Sequence, residues 1–185
     1  MFRDVVLRPP EVRRLQRRPP ASSGRRRAGA SLSVRRVKTP VDAAAWARLR
    51  LEFIRQSPPP VVWDEAATAV EIENWLAESL KRQDLAAFLA EIDGEPAGIG
   101  AVSIYEVPPA PAVSGTEAYI SSMYTEPRFR GRGVARAILD ELIVFAHAAG
   151  VRGRVWLRAT DAGRPLYASA GFLPRDYFMQ LRLTD

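Results

Sequence analysis

Eight consecutive residues of this 185-residue chain have the types and spacing to do chemistry: Arg128, Phe129, Arg130, Gly131, Arg132, Gly133, Val134 and Ala135. Two glycines let a ligand come close to the main chain, and three arginines add positive charge. Val134, Ala135, Ile138, Leu139, Leu142, Ile143 and Ala146 then recur at three- and four-residue steps, the period of a helix with one buried face, and Gly150 stops it. N–H groups at such a helix start converge on one spot, where the helix dipole also favours an anion. The chemistry on offer is a phosphate cradle; the alternative is an arginine-rich surface turn capped by glycines. Other chemistries are thinly supplied. With no cysteine there is no thiolate nucleophile, thiolate metal site or disulfide, and a single histidine, His147, rules out a multi-histidine metal site. His147 sits late in the helix, where a surface histidine suits the dipole.

Two familiar cradles do not fit. A dinucleotide fingerprint needs a third glycine at position 136, which is Arg136, and a P-loop needs Gly-Lys-Ser/Thr, a triplet the chain lacks. What remains is the spacing R-x-x-G-x-G.

The flanking elements must aim this loop. Residues 119–124 are apolar, β-branched and aromatic, which predicts a strand entering it. Residues 154–160 predict another strand after the helix, and the strand–turn–helix–strand order implies a parallel pair with a right-handed crossover. Upstream, residues 31–37 predict a first strand. A helix follows over 43–56, capped by Thr39 or Asp42 and broken by Pro58, Pro59 and Pro60, and a second spans 66–82. Residues 85–92 and 97–105 flank Asp93-Gly94-Glu95-Pro96, a hairpin signal, and Gly98 and Gly100 inside the second strand indicate close packing or a bulge. A short helix begun near Pro165 and ended by Gly171, then a last strand over 178–183, complete the order.

Charge divides the chain. Residues 1–30 hold nine arginines against Asp4 and Glu11, a net of +7, while the whole chain is +6. The remainder, with 18 basic and 19 acidic residues, lacks the basic footprint of a nucleic-acid-binding domain. Residues 1–30 therefore read as a basic, Arg/Pro-rich, flexible extension. Its composition also suits a transit peptide, a misassigned start codon or a basic arm for an acidic partner. No apolar run approaches the ~20 residues that span a bilayer and no signal-peptide core is present, so the expectation is a cytoplasmic protein without membrane association.

Beyond residue 30 the chain resembles the GCN5-related N-acetyltransferases, or GNATs. Two motifs carry the likeness, R-x-x-G-x-G at Arg128–Gly133 and L-Y-x-x-x-G-F at Leu166, Tyr167, Gly171 and Phe172, in the family order with the expected strand between them. The resemblance implies an α/β (α+β) fold over residues 31–185, with a mixed, mostly antiparallel twisted sheet of six to seven strands, a splayed parallel pair and about four helices. It implies acetyl-coenzyme A as donor and no metal. Its pyrophosphate would be bound by main-chain N–H groups between Phe129 and Val134, with help from the side chains of Arg128, Arg130 or Arg132. Met123, Tyr124 and Thr125 match the strand end that pairs with pantetheine, and Met123 or Tyr124 would lie nearest the developing oxyanion. Tyr167 falls on the family tyrosine near the sulfur, which implies a general acid, and Glu117 falls where some members place the base. Asp161 stands where many members have an asparagine that contacts pantetheine, and an ionised Asp can accept but not donate.

The implied reaction is direct attack by a neutral amine on the thioester. The acceptor is expected to be a small-molecule amine; the alternatives are a protein N-terminus or lysine, or a regulatory module that binds acyl-CoA without catalysis. Candidate lining is residues 57–65, with Trp63, Asp64 and Glu65, together with Tyr105 and residues 106–117. A homodimer is compatible with the sequence, which does not choose an oligomeric state.

Overall fold

The computed structural model describes residues 30–56, 63–79, 81–109, 115–175, 179 and 181. Ten elements follow one another: β1 (Leu32–Arg36), α1 (Pro40–Arg55), α2 (Glu65–Ser79), β2 (Leu85–Ile92), β3 (Glu95–Glu106), β4 (Thr116–Thr125), a 3-10 turn (Pro127–Phe129), α3 (Val134–Ala148), β5 (Val155–Leu157) and α4 (Arg164–Ser169). The strands form one sheet in sequence order, antiparallel from β1 to β4 and parallel between β4 and β5. The α/β fold, its four helices and the parallel pair match the expectation. The sheet has five strands among the described residues rather than six or seven, because most of the strand expected over 178–183, like the extension over 1–29, falls outside them.

Local chemistry explains the boundaries. Thr39 caps α1, accepting from the Asp42 N–H at 3.2 Å while Asp42 Oδ2 accepts from the Thr39 N–H at 3.2 Å, a reciprocal capping box. Asp93 (φ 54°) and Gly94 (φ 83°) supply the two left-handed residues of a tight hairpin between β2 and β3. Val107 N–H donates to the Gly115 carbonyl at 2.9 Å, continuing the β3–β4 ladder towards residues 110–114, which lie outside the described set. Gly150 (φ 88°) ends α3 with bonds from Gly150 N–H to His147 and from Val151 N–H to Ala146, the paired bonds of a Schellman motif.

Two cores hold the layers together. On one face of the sheet, Val134, Ile138, Leu139, Leu142 and Ala146 of α3 pack on Val102, Ile104, Ala118 and Ile120. On the other, Trp46, Leu49, Ile72 and Leu76 of α1 and α2 pack on Leu89, Ile99 and Tyr124. Gly98 and Gly100 mark close packing. A Cβ on Gly98 would stand 2.6 Å from Val134 Cγ1, and one on Gly100 would stand 2.5 Å from Ile138 Cγ2. Their absence lets the first two turns of α3 lie directly on β3, which sets where the helix N-terminus points.

Candidate active site

The loop between β4 and α3 is a nest of unpaired donors. The Phe129 N–H donates to the Glu126 carbonyl (2.9 Å) and the Arg130 N–H to the Pro127 carbonyl (3.2 Å), closing the 3-10 turn. Those two N–H groups are therefore committed, and the open donors begin at Gly131 rather than Phe129. Among the described residues, no intramolecular acceptor meets the N–H groups of residues 131–136; the ladder of α3 starts with Ala137 N–H to Gly133 O. Gly131 (φ +75°) and Gly133 (φ +84°) hold left-handed conformations that side chains disfavour, and a Cβ on Gly131 would meet nothing within 4 Å. No side chain caps α3, so its first-turn donors stay available to an anion. Val134 is buried and anchors that turn, while Ala135, in the next position, is partly exposed.

The three arginines differ. Arg128 is ion-paired with Glu126 (2.8 Å) and Glu95 (2.7 Å), which favour its charged form, and lies 4.4 Å over the Phe129 ring. Arg130 donates to the Thr125 carbonyl and to Gln56 Oε1, each at 3.2 Å. Arg132 also lies over the buried Phe129 ring, 5.4 Å from its centroid, and has no acidic partner among the described residues. Arg132 is thus the arginine least committed to its own chain.

Beside the loop the sheet opens. β4 and β5 pair at Ala118–Val155, Tyr119–Trp156 and Ile120–Leu157, and then part. Ser122 sits at φ 57°, and the β3–β4 register slips by one residue there. This bulge reverses the alternation of side chains. Ala118 and Ile120 face α3, yet beyond the bulge it is Met123 that packs towards α3 and Tyr124 that joins the α1–α2 core. Glu126 N–H donates to Ala97 O at 3.0 Å, so by alternation Tyr124 also turns its main chain to β3, and Met123 and Thr125 turn theirs to the open edge. Thr125 Oγ1 is buried without a partner among the described residues. On the opposite face, the Tyr124 hydroxyl accepts from Gln56 Nε2 at 2.9 Å.

Tyr167 stands beyond β5, on α4. Its ring packs edge-to-face on Phe172, centroids 6.0 Å apart, and leaves no room at Gly163, where a Cβ would stand 2.9 Å from Tyr167 Cε2. Gly171 (φ 92°) turns the chain back, with Phe172 N–H donating to Tyr167 O and Gly171 N–H to Ala168 O. The motif L-Y-x-x-x-G-F is therefore a helix stop that folds its phenylalanine onto its tyrosine. The hydroxyl has no hydrogen-bond partner among the described residues, and burial raises its pKa above the ordinary phenol value. Asp161, by contrast, is solvated and pairs with Arg164 at 3.0 Å.

The face of β4 turned towards α1 carries the remaining candidates. Glu117 is 4% exposed; its Oε1 accepts from Arg154 Nε at 2.7 Å and its Oε2 from the Tyr105 hydroxyl at 3.1 Å. Trp156 Nε1 donates to the Tyr105 oxygen, and the Trp156 ring lies 4.4 Å from that of Tyr119. Sequence reasoning singled out Glu117 and Tyr105 but missed Arg154, Tyr119, Trp156, Gln56 and Gly163; alternation within the strands could have placed Glu117 and Tyr119 on one face, and no local pattern marks the others. Asp64 and Glu65 are spoken for. Asp64 Oδ1 caps α2 by accepting from the Ala67 N–H at 3.0 Å, and Glu65 pairs with Arg55. Trp63 is partly buried, and residues 57–62 lie outside the described set. No cluster of three metal-ligating side chains occurs among the described residues, and no helix among them is long and apolar enough to cross a membrane.

The chain is similar to known proteins in sequence and in fold. The chain is 34% identical over 128 residues to the aminoglycoside N(6')-acetyltransferase type 1 of Stenotrophomonas maltophilia, a match covering 66% of this chain and 73% of that protein. Among solved structures it resembles a predicted acetyltransferase of Clostridium acetobutylicum crystallised with acetyl-CoA, at TM-score 0.68 and 26% identity, covering 82% of this chain and 96% of the other. It shares its fold with a GCN5-related N-acetyltransferase of Ralstonia eutropha (TM-score 0.67, 24% identity, 82% and 99% coverage). The model of the acetyltransferase (GNAT) family matches residues 47–172, from α1 through the nest and the open edge to Phe172. On that match and the geometry behind it, the chain belongs to the GNAT family of N-acetyltransferases.

Proposed function

We propose that this enzyme transfers the acetyl group of acetyl-coenzyme A to a primary amine of a small molecule. The observation that carries the reading is the juxtaposition of two main-chain surfaces outside the helix and sheet ladders, the second held at one point by the Arg130 side chain on the Thr125 carbonyl. One is the nest at residues 131–136; the other is the edge of β4 at Met123 and Thr125, where the sheet opens beyond Ile120. An anionic headgroup fits the first, and an extended amide-bearing arm fits the second, with the orphaned Thr125 Oγ1 a further polar contact there. The structure with acetyl-CoA from Clostridium acetobutylicum supports this assignment of the donor. The Stenotrophomonas relative, whose name specifies an aminoglycoside amine, supports a small-molecule acceptor.

Acetyl-CoA, when bound, supplies the acetyl group as a thioester. The chain supplies anion binding, orientation and proton handling. Gly131, Arg132, Gly133, Val134 and Ala135 present N–H groups to the pyrophosphate, and Arg132 adds charge. The Met123 N–H, on the open edge, is the donor assigned to the developing oxyanion. Tyr167 gives its proton to the departing thiolate; its raised pKa keeps the phenol protonated at neutral pH, which an acid requires. An alkyl ammonium has a pKa of ~10, so the attacking amine must lose a proton. Glu117 is assigned the role of accepting it through the Tyr105 hydroxyl, which already donates to Glu117.

Release of thiol from acetyl-CoA, followed over a panel of primary amines, tests the reading. Amine-dependent release with one acetylated product per thiol is expected. Tight acetyl-CoA binding with no turnover on any amine would overturn it.

A further inference from the structure

Arg50 is the one basic residue among those described that is withdrawn from solvent and yet has no hydrogen-bond or ion-pair partner. The other arginines of the folded part divide cleanly. Most, such as Arg35, Arg55 and Arg154, hold carboxylates; Arg36, Arg130 and Arg152 hold carbonyl oxygens; and Arg132, Arg158 and Arg175, which lack such partners among the described residues, are exposed. Arg50 instead lies over the ring of Phe53, 5.0 Å from its centroid, with its charge also interacting with Tyr119. Burial destabilises its charged form, and no carboxylate offsets the loss.

Its position is informative. The Phe53 ring beneath it lies 5.9 Å from that of Tyr124 on β4, so Arg50 sits on the α1 face of the strand whose pairing with β5 ends at Ile120 and Leu157, one residue after Tyr119 pairs with Trp156. The three acids singled out above as candidates are already engaged. Glu117 is held by Arg154 and Tyr105, Asp64 caps α2, and Glu65 is bound to Arg55. The uncompensated charge beside the opening is therefore positive.

We infer that the amine acceptor also carries an anionic group, a carboxylate or a phosphate, and that Arg50 binds it. The guanidinium fork suits either oxyanion. The rings of Tyr119 and Trp156, tilted against each other with centroids 4.4 Å apart, give the body of such an acceptor an apolar wall, and the amine is left to face Tyr105 and Glu117. The inference rests on the transfer reaction proposed above and narrows its acceptor.

Matched pairs of amines test it: an amino acid against its amide, an amino-sugar phosphate against the free amino sugar, and an aminoglycoside as a polycation. In each pair the anion-bearing member is expected to have the higher kcat/KM, by tenfold or more, and the two pairs distinguish carboxylate from phosphate. In Arg50→Met that preference should fall at least tenfold, through KM for the amine, with partial recovery in Arg50→Lys. Faster turnover of the members that lack the anionic group or of the aminoglycoside would overturn the inference and leave the proposed reaction standing. A preference unchanged in Arg50→Met would overturn it too. If no amine turns over, the proposed reaction fails; equilibrium binding of the same pairs to the protein–CoA complex then reads the Arg50 site by itself, and equal affinity within each pair would overturn it.

Discussion

The proposed donor half of the site and the proposed acceptor half are built from different materials. The donor half, made of the end of β4, the loop after it and the start of α3, is mainly main chain: N–H groups aimed by two left-handed glycines, a helix seated by Gly98 and Gly100, and a strand edge freed by a bulge. The acceptor half is side chain, with Arg50 from α1, Tyr105 from β3, Glu117 and Tyr119 from β4 and Trp156 from β5. A ligand common to a whole family can be held by groups every residue possesses. A ligand that differs between members must be chosen by side chains, and those meet only after folding.

Variants should therefore sort by half. The largest effect is expected for Gly131→Asp, which sets a carboxylate against the pyrophosphate in a backbone conformation that also disfavours side chains. Like-charge contact of this kind costs several kcal/mol, so acetyl-CoA affinity should fall about a thousandfold in calorimetric titration. A Cβ there meets nothing, but the left-handed backbone at φ +75° costs a side chain about 1–2 kcal/mol, so the thermal midpoint should fall by a few degrees while the fold persists; full affinity in this variant would break the assignment of the nest. Tyr167→Phe comes next. Loss of a general acid predicts a drop in kcat of roughly a hundredfold with little change in acetyl-CoA affinity, and an unaltered kcat would remove Tyr167 from the mechanism. The raised pKa of Tyr167 has a defined sign in the pH profile. The protonated, donating form persists above the ordinary phenol value, so kcat should show no alkaline decline from this group below about pH 10.

Gly100→Ala probes the seat of α3 rather than the ligand. Its Cβ would press on Ile138, Leu142 and Met123, and overpacking of this kind costs about 1–3 kcal/mol, read as a thermal midpoint lower by several degrees. The smallest effect is the most diagnostic. Gln56, at the C-terminal end of the helix that carries Arg50, ties α1 to the donor half, accepting from Arg130 of the loop and donating to Tyr124 of β4. Gln56→Ala should raise the KM of acetyl-CoA and of the amine together, each about threefold, the scale of one hydrogen bond. A change in only one would show that the halves are not coupled there.

What could be read from the sequence follows the same division. The nest, its strand and its helix were legible because Arg128 to Gly133 and Leu166 to Phe172 are contiguous and their glycines have backbone reasons to be there. The succession of strands from β1 to β5 was legible from alternation and turn residues such as Asp93-Gly94, although the expected count of six to seven exceeds the five strands among the described residues. The bulge at Ser122 was not, because nothing in Ile120-Ser121-Ser122-Met123 announces a left-handed serine, and it alone exchanges the faces of Met123 and Tyr124. Nor was the fate of the charges. Glu117 was found by its place in the strand, but its partner Arg154 lies on β5's approach, far along the chain. Arg50, Asp64 and Glu65 are alike in sequence as charged residues on helices, and only packing shows that the two acids are engaged and the arginine is not.

The account stands or falls on whether acetyl-CoA held by residues 131–136 is consumed in proportion to an amine. Thiol release and acetylated product, measured together with wild-type protein and with Gly131→Asp, is the direct test. One acetylated amine for each thiol in the wild type, and loss of both at the same acetyl-CoA concentration in the variant, is the predicted result. Turnover that survives the substitution with unchanged KM for acetyl-CoA would contradict it.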